Sequence, residues 1–201
     1  MNLVVEILIV IISYLIGSIP FGYLLTYKVT GKNIREYGSG NIGSTNVKRV
    51  AGKKIAIQTQ LLDMMKGLLP VGITLVLIHY QIILVDYYFV YFVAFASILG
   101  HDFSIFLKFN GGKGVNTTLG ASILLSPIAV LTGVASYYLV KWSTNYVSIG
   151  SLVLGLVIVI VDLILVGYGY QFWYFSATFI LILILHRENL VRVIQGRENK
   201  A

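Results

Sequence analysis

The chain of 201 residues contains no cysteine, three prolines and three histidines, and only 11% of it is charged. Without cysteine there is no disulfide framework, no thiolate nucleophile and no Cys metal site. Eight acidic residues stand against fifteen Lys and Arg. Asp63, Asp86, Asp102 and Asp162 are scattered, and no motif has metal-ligand spacing. A two-carboxylate metal site for phosphoryl chemistry is therefore not visible. No Gly-x-Ser-x-Gly elbow occurs. Neither His101 nor His186 has an Asp five residues later.

What the chain has instead is apolar length. Hydrophobic residues make up 57% of it, against roughly 45–50% in soluble domains. Several runs reach the ~20 residues that cross a bilayer. The expectation is an all-α, polytopic transmembrane bundle forming one domain over residues 1–201. The first run lacks a basic leader and a small-residue cleavage site, so it reads as a retained span.

The net charge of +7 is unevenly placed. Lys28, Lys32, Arg35, Lys48, Arg49, Lys53 and Lys54 surround one polar stretch. Lys108 and Lys113 lie in a second. Arg187, Arg192, Arg197 and Lys200 lie in a third, at the C-terminus. The connections at 79–86 and 167–171 hold no Lys or Arg. By the positive-inside rule the three polar stretches face the cytoplasm and the N-terminus faces out. The charge thus reads as topology and attraction to anionic lipid, not as a nucleic-acid footprint.

Helices are expected at about 3–25, 55–78 and 82–99. Pro20 should kink the first. Asp63 and Lys66 share a face of the second, and charges within a span are usually paired. Beyond residue 118, three apolar runs would leave the basic C-terminus outside. A break at Ser126-Pro127 repairs the parity. It gives two short helices, 114–125 and 127–141, in a hairpin, and broken helices at membrane depth line protein cavities. Helices at 149–166 and 172–185 then bring the total to seven, five of them full spans, with the C-terminus cytoplasmic.

The polar stretches carry anion-binding groups. At 38–46 stands Gly-Ser-Gly-Asn-Ile-Gly-Ser-Thr-Asn, followed by Lys48 and Arg49. Glycine turns can aim successive N–H groups at an anion, and Arg grips phosphate with two hydrogen bonds. Gly111-Gly112-Lys113-Gly114 leads into a helix N-terminus, a ready anion site. It is not a Walker A loop, because Leu107 and Gly114 stand where that motif needs Gly and Ser or Thr. In the third stretch His186, Asn189 and Arg192 share a face if the last helix continues.

These three stretches, with His186-x-x-Asn189-x-x-Arg192, Gly196 and Glu198 as the last, resemble the motifs of the bacterial acyl-phosphate:glycerol-3-phosphate acyltransferases. Residues 18–22 and 145–151 also resemble that family. Ser44 and Asn116 depart from its pattern, which has Ala at each. The resemblance implies a multi-pass enzyme of the bacterial inner membrane, with its active site on the cytoplasmic side. It would move an acyl chain from acyl phosphate to the 1-hydroxyl of glycerol 3-phosphate. The products would be lysophosphatidic acid and phosphate, the first step of phospholipid synthesis. No cofactor and no metal are implied, and a monomer is expected.

On that basis Asn46, Lys48, Gly111, Gly112, Lys113, Gly114, Ser143 and Arg192 are candidates for holding phosphate, joined by Ser39 and Arg49. His186 and Asn189 are placed at the reacting hydroxyl. The proton leaves either to His186 or to the donor's phosphate, and Ser39 is a rival acyl nucleophile. Glu198 is expected to pair with a nearby Arg. An organic-phosphate transporter is the reading from another class, and lysophosphatidic acid formation separates the two.

Overall fold

The computed structural model describes residues 3–200 and contains, among them, nine α-helices and no strand. These are α1 (Leu3–Ser18), α2 (Phe21–Thr30), α3 (Ser44–His79), α4 (Phe89–Asp102), α5 (Val115–Ser122), α6 (Pro127–Thr144), α7 (Val147–Val166), α8 (Tyr170–Leu185) and α9 (Arg187–Ile194). The chain divides into two compact units, up to Leu124 and from Leu125.

Four helical stretches are long and apolar enough to cross a membrane: Leu3–Thr30, Ser44–His79, Phe89–Leu107 and Val147–Val166. Tyr170–Leu185 is a shorter apolar helix. Large apolar side chains such as Ile12, Ile73 and Ile164 are exposed, which suits contact with lipid tails. Tyr168, Tyr170 and Trp173 are exposed around the α7–α8 turn, where aromatic rings mark a membrane interface. The chain is a multi-pass helical membrane protein.

The first unit is assembled by small residues. A Cβ on Gly17 of α1 would overlap the backbone of Ser97 in α4. One on Gly67 of α3 would overlap the Thr117 carbonyl, and one on Gly120 of α5 the Met64 carbonyl. Such close backbone approach is how helices associate where burial from water gives no drive.

Pro20 does more than kink the first helix. The chain leaves helical geometry at 19–20, so α1 and α2 are separate. A helix end leaves carbonyls without partners. Here Ser104 Oγ donates to the Ser18 carbonyl (2.5 Å) and Lys66 Nζ to the Ile19 carbonyl (3.0 Å).

The second unit packs α6 on α7 and α7 on α8. Gly133 faces Leu154 and Ile158, and Gly155 faces Phe179. The break at Ser126-Pro127 stands as expected, with Pro127 opening α6. Gln171 Nε2 donates to Asp162 Oδ1 (2.5 Å) and to the Leu125 carbonyl (3.4 Å), which ties the bend to α7 and α8.

Three boundaries differ from the sequence reading. The second span begins at Ser44, inside the polar stretch, and bends at Gly52 (φ 86°, ψ 171°). Hydropathy locates membrane depth, not the start of hydrogen bonding, so residues 44–51 read as loop. Helix α4 begins at Phe89, because Gln81 adopts φ 54° and residues 80–88 turn. The last span does not continue through His186 (φ −99°, ψ 4°), where α8 ends and α9 begins. With the Pro20 break, this last change makes nine helices where seven were expected.

Candidate active site

Residues 37–49 are organised by one buried amide. Asn46 is 1% exposed. Its Nδ2 donates to the carbonyls of Tyr37 (3.0 Å), Asn41 (2.9 Å) and Ile34 (3.4 Å). Its Oδ1 accepts the Ser39 N–H at 3.0 Å. Gly38 takes φ 62°, and a Cβ there would overlap that same Oδ1. Gly40 takes φ 70°. Asn46 is thus committed to the loop, and whatever it contributes to an anion site passes through the loop it shapes. Ser39, Lys48 and Arg49 are exposed. Lys48 and Arg49 stand on the first turns of α3, whose N-terminus favours an anion. Beneath them Ile34, Ile42, Val47 and Leu107 form a buried apolar seat.

The second stretch lies flat on the end of α4. The Gly111 N–H donates to the Asp102 carbonyl and the Gly112 N–H to the His101 carbonyl, both at 3.0 Å. Gly114, at φ 68°, precedes α5 with both carboxylate oxygens of Asp102 against it. Lys113 sits in this turn, half-buried. The first N–H groups of α5 have no helical partner, as at any helix start. The two stretches meet where Asn116 Nδ2 donates to Ser44 Oγ at 3.2 Å. The two departures from the family pattern therefore bond to each other.

Below this loop sits a cluster that sequence reasoning saw only in part. Asp63 Oδ1 accepts from Lys66 Nζ at 2.9 Å, as the helical spacing suggested. The same oxygen faces His101 Nδ1 at 3.6 Å. Asp63, Lys66, His101 and Asp102 are all buried. His101 and Asp102 lie some forty positions from Asp63, so only the packing of α3 on α4 reveals the group.

The second unit holds His186, Asn189, Arg192 and Ser143. His186 is buried, and its Nδ1 lies 2.8 Å from the Ile182 carbonyl. A carbonyl only accepts, so this nitrogen donates, and Nε2 is the acceptor whenever the ring is neutral. Glu198 draws the chain end back onto α9. Its Oε1 accepts from Asn189 Nδ2 (2.6 Å) and Ser148 Oγ (3.1 Å), and its Oε2 from Arg192 Nε (2.9 Å). The expected Arg partner is Arg192, which also approaches Glu188 at 3.9 Å. Burial opposes ionisation of Glu198. The bonds from Asn189, Arg192 and Ser148 and the charge of Arg192 outweigh it, holding the carboxyl below its usual range. Ser148 was missed, although it lies within the 145–151 segment. Ser143 is exposed in the last turn of α6, its hydroxyl donating to the Val140 carbonyl at 3.1 Å.

The fold and these polar stretches define a class, the polytopic helical membrane protein with glycine-rich polar loops. A family model described as glycerol-3-phosphate acyltransferase matches residues 7–196. The glycerol-3-phosphate acyltransferase of Clostridium acetobutylicum is 42% identical over 197 residues, covering 98% of this chain and 100% of that one. The protein of the same name from Syntrophotalea carbinolica is 40% identical over 188 residues, 94% and 93% of the two chains. A crystal structure of PlsY (YgiH), an integral membrane glycerol 3-phosphate acyltransferase in its glycerol 3-phosphate form, superposes with a TM-score of 0.88 at 33% identity, over 98% of this chain and 95% of that one. Its lysophosphatidic acid form superposes at 0.85, over 97% and 94%. The chain belongs to the glycerol-3-phosphate acyltransferase family.

Proposed function

We propose that this protein transfers an acyl chain from acyl phosphate to the 1-hydroxyl of sn-glycerol 3-phosphate, at the cytoplasmic face of the bacterial inner membrane. The observation that carries the reading is the Asn116–Ser44 bond. It joins the first turn of α3 to the first turn of α5, so two glycine-rich anion loops and the cations Lys48, Arg49 and Lys113 belong to one unit. Both substrates are phosphates of ~1.5–2 negative charges. Two such groups held near each other need several cations and N–H donors.

In this reading Ser39, Lys48, Arg49, Lys113 and the first N–H groups of α5 after Gly114 hold phosphate, with Asn46 shaping the first loop. Gly111 and Gly112, expected as backbone ligands, instead fix the second loop, because their N–H groups donate to the α4 carbonyls. Ser143 adds a hydroxyl. Arg192 serves by holding Glu198 and, through it, the pose of Asn189. The glycerol hydroxyl oxygen attacks the acyl carbon. The bond from that carbon to the phosphate oxygen breaks, and phosphate leaves with its electron pair. The hydroxyl proton passes to Nε2 of His186, a service worth about 10²–10⁴-fold. A mixed anhydride is already activated, so no acyl-enzyme, cofactor or metal is required. The chain works as one domain and as a monomer, and the positive stretches set its orientation.

The test uses purified protein in lipid vesicles with labelled glycerol 3-phosphate and an acyl phosphate. Lysophosphatidic acid and inorganic phosphate should form one to one. Uptake of label without product would overturn the reading in favour of an organic-phosphate transporter.

A further inference from the structure

We infer that His101 is the seat of the 111–114 loop and that Asp63 and Lys66 hold it there, making the three positioning residues for glycerol 3-phosphate. The inference rests on the reading of that loop as a phosphate site.

Three observations carry it. First, the ring of His101 lies directly against Gly112, since a Cβ at that position would overlap its Nε2. Second, the ring cannot easily yield. It is 4% exposed, its other nitrogen faces Asp63 at 3.6 Å, and Asp63 is locked to Lys66 at 2.9 Å. Third, Lys66 is fixed in turn by the Ile19 carbonyl at 3.0 Å. The support therefore runs from the Pro20 break, through two charges and a ring, to the loop backbone. Binding groups must be held within about 0.5 Å to be useful, and packing behind them supplies that hold.

Gly111 provides the control. A Cβ there would overlap the backbone carbonyl of His101, not the ring. A smaller side chain at 101 makes room at 112 and none at 111. In the vesicle assay Gly112→Ala should raise the KM for glycerol 3-phosphate on the order of tenfold, the size of a forced overlap read as a binding ratio. Its kcat should stay near the parent value. His101→Ala should also raise KM. The double variant His101→Ala/Gly112→Ala should bind better than Gly112→Ala alone, while His101→Ala/Gly111→Ala should show no recovery.

If the first double variant is no better than Gly112→Ala, the seat is refuted and the phosphate loop stands. An unchanged KM in Gly112→Ala refutes the loop reading itself. A fall in kcat with unchanged KM in His101→Ala also refutes the inference, because it assigns the ring to chemistry. Where His101→Ala does not accumulate as folded protein, His101→Asn, which shortens the side chain and keeps a polar group toward Asp63, carries the same comparison.

Discussion

Residues 37–49 and 100–118 are built into the first unit from behind, whereas residues 186–198 of the second unit are gathered by one side chain. The first pair of stretches rests on glycine contacts, on the buried amide of Asn46 and on the Asp63–Lys66 pair. The third depends on the Glu198 carboxylate, which reaches Ser148, Asn189 and Arg192 together. The difference follows from what each must do. In the proposed reading the first pair of stretches holds phosphate, which needs a fixed backbone, and the support lies under the backbone. In the proposed reading His186 takes a proton, which needs one orientation of its ring, and the short bond from Nδ1 to the Ile182 carbonyl supplies that.

The largest effect is expected from breaking the buried support. Lys66→Ala leaves the Asp63 carboxylate without its 2.9 Å partner and should cost about 3–5 kcal/mol. Thermal unfolding in detergent is the measurement. The paired change Asp63→Ala/Lys66→Ala should be milder than either single change, because no lone buried charge remains. Equal or worse loss in the pair would mean that packing, not charge balance, dominates there.

The next effect separates chemistry from support. His186→Ala should lower kcat about 10²–10⁴-fold with little change in melting temperature. A kcat within a few fold of the parent would assign the proton to the donor's own phosphate.

Glu198→Gln tests the single-carboxylate clamp. Its carboxyl is held low in the folded protein, so its contribution is present above the unfolded value of about 4.3 and is lost as pH falls through the lowered folded value. The variant should lose about 1–2 kcal/mol near neutrality, since Arg192 is a third exposed and solvent screens part of the pair. Once the pH is below that lowered folded value the two proteins should converge. A gap independent of pH would place the effect in shape alone.

Much of this arrangement was legible in the residues. Pro20 and Ser126-Pro127 marked both breaks because proline removes a backbone donor, although Pro70 lies inside α3 without ending it. Asp63 and Lys66 were readable as a pair because helical spacing is local. The pairing of Glu198 with an Arg was readable because Arg187, Arg192 and Arg197 all lie close to it in sequence, although which of them it takes was not. His101 was not, since its meaning comes from α4 packing on α3 and from a glycine eleven positions later. Asn46 read as a phosphate ligand because an amide in a polar loop has the right chemistry. Only its 1% exposure and its four loop contacts show that it works on the loop. The helical start at Ser44 was hidden because polar residues at membrane depth and polar residues outside it look alike.

The smallest effect concerns the seam between the two loops of the first unit. Ser44 and Asn116 would each be ordinary alone, but they form one hydrogen bond of 3.2 Å between the first turns of α3 and α5. Removing either partner forfeits the same bond, so the two losses should not add. Coupling of about 0.5–1.5 kcal/mol is expected from a cycle of Ser44→Ala, Asn116→Ala and the double variant. Read as the KM for glycerol 3-phosphate, each single change should cost a few fold, and the double change no more than either. Additive losses would mean that each residue meets the substrate by itself. That outcome would turn the seam from a brace between two loops into two separate ligands.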